Sequence, residues 1–167
     1  MSVYPLVLLE EGFQKLRDEL DTFKEQVARD CRDGSIELET LNTAERICSQ
    51  FRQKLDSEYP KNQRKVDSRQ YFEHKTGVDF LEAQRAAIRL AVESNNVSGL
   101  NGDYAFHGDR LLQLLNHMAR LGMEFDKAPQ GTKHIYEKVF MGMRNILMSL
   151  ETDQDAAMLS QRSITHV

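Results

Sequence analysis

The chain has 167 residues, 40% of them hydrophobic and 29% charged, and a net charge of −4. A chain of this length buries roughly 70% of its unfolded surface and needs no metal or disulfide to hold a core. The negative balance argues against wholesale nucleic-acid binding, and no window approaches the ~18 consecutive apolar residues of a membrane helix.

The apolar start, Val3 to Leu9, carries Pro5 and lacks a basic leader, so it does not read as a signal peptide. From Leu6 onward, Leu9, Phe13, Leu16, Leu20, Phe23 and Val27 recur at spacings of three and four. That seam predicts a first helix from about Leu9 to Arg32. Asp33-Gly34-Ser35 supplies a turn, with glycine able to take the left-handed conformation that ends a helix. Ser35 is positioned to cap a second helix, whose seam is Leu41, Ala44, Cys48, Phe51 and Leu55, and Pro60 closes it. Two helices of similar length joined by so short a turn are expected to fold back antiparallel, each hiding its seam against the other. Cys31 and Cys48 fall within or beside these stripes, which points to buried thiols in a reducing, cytoplasmic setting.

A basic connector follows, with Tyr71 and Phe72 at its end. Thr76-Gly77-Val78-Asp79 has the form of a capping box and predicts a third helix to about Glu93. Residues 94–108 form the longest irregular stretch. Asp109 is placed to cap a fourth helix carrying Leu111, Leu112, Leu114, Leu115, Met118 and Leu121. After Pro129, a fifth helix from about Thr132 to Leu150 carries Ile135, Tyr136, Val139, Phe140, Met143, Ile146, Leu147 and Leu150. Thr152 to Asp155 suits the cap of a short last helix. The broad apolar faces of the fourth and fifth helices predict that they form the centre. The whole reads as one all-α domain over 1–167: a helical hairpin at 1–60, a basic connector at 61–76, a three- to four-helix bundle at 77–162 and a tail at 163–167.

Chemistry is sparse. Asp103, His107 and His117 suggest a metal or acid–base site near the long loop, but no pair has the three- or four-residue spacing that sets two ligands on one helical face. Ordinary polar side chains and a helix cap explain these residues better. No nucleophile elbow and no phosphate-binding glycine loop occurs, so neither a catalytic residue, a cofactor nor a metal is expected. The methionines crowd toward the C-terminal half, where core filling is their commonest use. The last residues, Thr165-His166-Val167, have the form of a peptide held by its terminal carboxylate.

Charge is uneven: residues 1–43 hold ten acids against five bases, whereas residues 44–75 hold eight bases against five acids. Asp30, Asp33, Glu37 and Glu39 gather at the first turn. Lys61, Arg64, Lys65 and Arg69 gather in the connector, where Tyr71 and Phe72 invite a comparison with nucleic-acid grips. Asp67 and Glu73 interrupt that run, and a solvated linker is the better reading. The segment Glu11-Gly12-Phe13-Gln14-Lys15-Leu16-Arg17-Asp18-Glu19-Leu20 resembles the opening of the coiled-coil finger of bacterial transcript-cleavage factors. The resemblance implies an acidic tip at the first turn. The turn here is shorter, its acids are spaced differently and no β-rich region follows, so the chain is not assigned to that family.

These features predict a non-enzymatic helical interaction protein, self-associating as a dimer, with the acidic turn and the basic connector as contact surfaces. A nucleic-acid accessory protein using residues 61–75 is the first alternative. A small enzyme built on Asp103, His107 and His117 is the second.

Overall fold

The computed structural model describes residues 10–62, 64–65, 68–97 and 108–165. These form five α-helices: α1 Glu10–Asp33, α2 Leu38–Glu58, α3 Ser68–Val97, α4 Gly108–Lys127 and α5 Glu137–Thr165. A 3-10 helix, Gln130–Tyr136, leads from α4 into α5, and no strand occurs among the described residues. The fold is all-α, as the helical periodicity predicts.

The turn between α1 and α2 forms where the sequence places it, with Gly34 at a φ of 79°. The capping differs. Glu37, not Ser35, is the N-cap of α2, and its own side chain makes no cap bond. The Asp30 carboxylate replaces it, accepting the Glu37 backbone N–H at 3.3 Å and the Thr40 hydroxyl. Farther from the turn, Arg46 pairs with Glu19. Leu20, Phe23 and Val27 of α1 and Leu41, Ala44, Ile47, Cys48, Phe51 and Leu55 of α2 are all buried. The earlier residues of the predicted α1 seam lie outside the described side chains.

The largest departure concerns α3. It begins at Ser68, eight residues before the expected capping box. Thr76 does not cap anything: its hydroxyl donates to the Phe72 carbonyl inside the helix at 2.6 Å. The connector therefore shrinks to the residues between α2 and Ser68, and its expected end, Tyr71 to Thr76, is helical. Tyr71 is buried while Phe72 is exposed. Beyond Phe72, every residue through Val92 is buried or half-buried, so this helix, rather than α4 or α5, is the centre of the structure. It packs against α2, α4, α5 and the 3-10 helix. Ala83, Ala86, Ala87 and Ala91 keep its surface low enough for neighbours on several sides.

Around α3 the other helices bury single faces. In α4 these residues are Leu111, Leu115, Met118 and Phe125; in α5, Phe140 and Leu147. Phe80 of α3 stacks obliquely on Phe140, with ring centroids 4.9 Å apart, and Phe125 and Tyr136 each meet Phe140 at 5.6 Å. Two ionic clusters fix the register of α3 against its neighbours. Asp79 accepts from Lys75 at 2.7 Å and Arg52 at 3.3 Å, while Glu82 joins Arg52 of α2 to Arg144 of α5. One step farther along, Glu151 of α5 holds Arg85 and Arg89 of α3, and Arg89 reaches Asp155 at 2.6 Å. The expected break at Thr152 to Asp155 does not occur; the Thr152 hydroxyl donates to the Met148 carbonyl and the helix continues. Among the described residues, no helix is long and apolar enough to cross a membrane.

Candidate functional site

The residues expected to form contact surfaces separate by burial. Asp33, Glu37 and Glu39 are exposed at the first turn. Asp30 is buried, and its role in closing the turn removes it from the acidic surface. In the basic segment, Lys61, Lys65 and Arg69 are exposed, but Arg64 is held on three sides. Its Nε donates to the Tyr59 carbonyl at 2.9 Å, its Nη2 meets Asp56 at 3.2 Å, and its guanidinium lies 4.8 Å over the Tyr71 ring. A cation so occupied serves the chain's own turn, which weakens the case for a nucleic-acid grip.

Asp103 and His107 lie outside the described residues, as do His166 and Val167. His117 is exposed on α4. No group of three or more His, Cys, Asp or Glu side chains suited to a metal ion occurs among the described residues.

A buried polar cluster that sequence reasoning did not single out joins the start of α3 to the end of α2 and the 3-10 helix. His74 Nδ1 lies 2.6 Å from the Gln70 carbonyl and 3.2 Å from the Tyr59 hydroxyl, while Nε2 is buried without a partner. Burial pushes the His74 pKa down, against the Gln70 bond and the Glu58 charge, which both raise it. The neighbouring Glu73 is also buried, with Oε1 unpartnered. Burial raises its pKa, and the charges of Arg69, His134 and Lys133 only partly oppose this. Lys133 is buried as well; its ammonium donates to the Phe125 and Asp126 carbonyls and sits 4.5 Å over the Phe125 ring. It thereby closes the C-terminal end of α4, where the helix dipole favours a cation. These groups are enclosed, and they do the work of joining helices.

The two thiols are both free. Cys48 donates to the Leu81 carbonyl at 3.1 Å, and burial, helped by Glu82, pushes its pKa up to about 12. Cys31 is half-buried, with its pKa raised by burial and then by Asp30. Neither is an activated nucleophile.

The solvent side of α5 carries the clearest unpartnered apolar feature. Val139 is 51% exposed and Ile146 is 65% exposed. Seven residues apart, they share one helical face. Gly142 lies between them, and a β-carbon there would have open space around it. Half-buried Met143 and Leu150 border the same stripe. The sequence does list Val139 and Ile146 among the apolar residues of this helix, but it groups them with the core set. No known protein family, curated protein or solved structure matches this chain.

Proposed function

We propose that the chain is a non-enzymatic helical interaction protein that self-associates as a homodimer through the outer face of α5. The observation that carries this reading is the exposed stripe of Val139, Gly142 and Ile146, on a helix whose other faces are already committed. Phe140 and Leu147 anchor one side in the core, and Arg144 and Glu151 are tied to α2 and α3. The stripe therefore cannot roll inward, and among the described residues nothing covers it. A second copy fits it by symmetry. If two α5 helices cross antiparallel about Ile146, that residue meets its own copy. Gly142 then lies opposite Leu150, a gap facing a side chain, and Lys138 lies alongside Asp153, joining opposite charges. A single-helix seam is smaller than the roughly 800 Å² per partner of a standard interface, which places the dimer among the small, transient ones. The two free thiols support a reducing, cytoplasmic location.

Sedimentation velocity from low micromolar to several hundred micromolar protein tests this reading. The expected result is a concentration-dependent shift toward twice the 19.3 kDa chain mass. Ile146→Asp removes the shift while leaving the helical circular dichroism and melting temperature unchanged. Wild-type protein that stays monomeric across the range refutes the proposal.

A further inference from the structure

A recess on another part of the surface, independent of α5, has the features of a small-molecule site. It opens between α1 and α4 with α3 as its floor, and its volume is about 220 Å³. Val27, Phe80, Leu115 and Gly122 supply apolar walls. Gly122 is required there: a β-carbon would stand 2.8 Å from the Phe80 ring. One polar side chain lies deep in this apolar surface. Gln84 is only 4% exposed, it lines the recess, and its carboxamide makes no hydrogen bond with any described residue. Its amide atoms are not among the fully enclosed unpartnered ones, so they face the recess, where water meets them and a ligand's hydrogen-bonding group can take that water's place.

We propose that this recess binds a small neutral amphiphile: an aryl or compact alkyl body carrying one hydrogen-bonding group that pairs with Gln84. Size sets the first limit. An apolar cavity of roughly 150 Å³ accepts benzene, so this recess takes a body of about indole size. Charge sets the second. Lys24 at the edge is already paired with Asp126 at 2.9 Å, and the Cys31 thiol on the wall has its pKa raised and stays protonated. Asp30, whose charge acts on Cys31, disfavours an anion. The body is then held by the apolar walls and the orientation by the amide, the usual division of labour in ligand pockets.

Two probes of equal shape separate these contributions: indole, which has one N–H donor, and indene, which has none. They are titrated into the full-length protein, observing the Gln84 side-chain amide and the methyl groups of Val27 and Leu115 by NMR. Both probes shift the wall methyls, indole binds about threefold to tenfold tighter than indene, and indole alone moves the Gln84 amide. Gln84→Met keeps indene binding, which reports an intact recess, and abolishes the preference for indole. Bound indole also slows alkylation of Cys31 by iodoacetamide. The proposal is overturned if neither probe shifts the wall residues, if the two bind wild-type protein equally, or if the preference survives Gln84→Met.

Discussion

Replacing Glu151 by leucine tests whether the α3–α5 contact depends on charge compensation or on apolar packing. Glu151 is 6% exposed, and both of its oxygens are occupied. Arg85 donates to them at 2.6 and 3.1 Å and Arg89 at 2.8 Å. Removing one member of a fully buried pair costs about 3–5 kcal/mol, because the partner charge is left uncompensated. Here the arginines retain 17% and 26% side-chain exposure, and Arg89 keeps Glu93 and Asp155. Water and the remaining acids relieve part of the penalty, leaving about 2–3 kcal/mol. At roughly 2–4 °C per kcal/mol for a chain of this size, the melting temperature falls by about 5–10 °C. The double substitution Arg85→Leu with Glu151→Leu removes the stranded charge together with its partner and should recover most of that loss. Urea denaturation of wild type, both single variants and the double variant yields the coupling directly. A Glu151→Leu protein as stable as wild type, or a double variant whose loss equals the sum of the two singles, refutes the reasoning.

Three further outcomes follow from individual groups. Asp30→Ala deprives the Glu37 N–H and the Thr40 hydroxyl of their acceptor, and should destabilise the fold by about 1–2 kcal/mol in urea denaturation; no loss would remove the turn-closing role. His74 binds its proton less readily in the folded chain than at its ordinary pKa of 6.5. The unfolded state therefore holds more protons, so stability falls as pH drops below about 6.5. Glu73, with its raised pKa, acts in the opposite direction above its ordinary value of 4.5, so His74→Gln is the control: wild type minus variant should decline between pH 7 and 5, and a flat difference would refute the assignment. With iodoacetamide under native conditions, Cys31 should react slowly and Cys48 only on unfolding, as mass spectrometry of the alkylated peptides would reveal.

How much of this was legible beforehand varies with the element. In α2 the seam from Leu41 to Leu55 is read correctly, because a helix packed on one side leaves a narrow stripe. The start of α3 is misread because Thr76-Gly77-Val78-Asp79 has a local cap pattern, yet an earlier start buries Tyr71 and brings it and His74 against Tyr59. The acidic turn shows a related ambiguity. Asp30 and Asp33 look equivalent in sequence, but only Asp30 faces the first residues of α2. Gln84 of the recess had no signal at all, since a polar residue in a helix normally marks its wet face.

Local pattern determined the helical class, the glycine turn at Gly34 and the apolar residues of each segment, since backbone propensity and periodicity act over a few residues. Tertiary structure decided which helix lies inside. A helix buried on every side loses the amphipathic contrast that identifies a core face, and α3 is therefore least distinctive where it matters most. It also decided which half of an apolar set meets solvent. Val139 and Phe140 are both apolar and adjacent in sequence, but the Glu151 and Arg144 pairs rotate α5 so that Phe140 enters the aromatic core and Val139 faces outward. That rotation, rather than composition, leaves the stripe around Ile146 exposed.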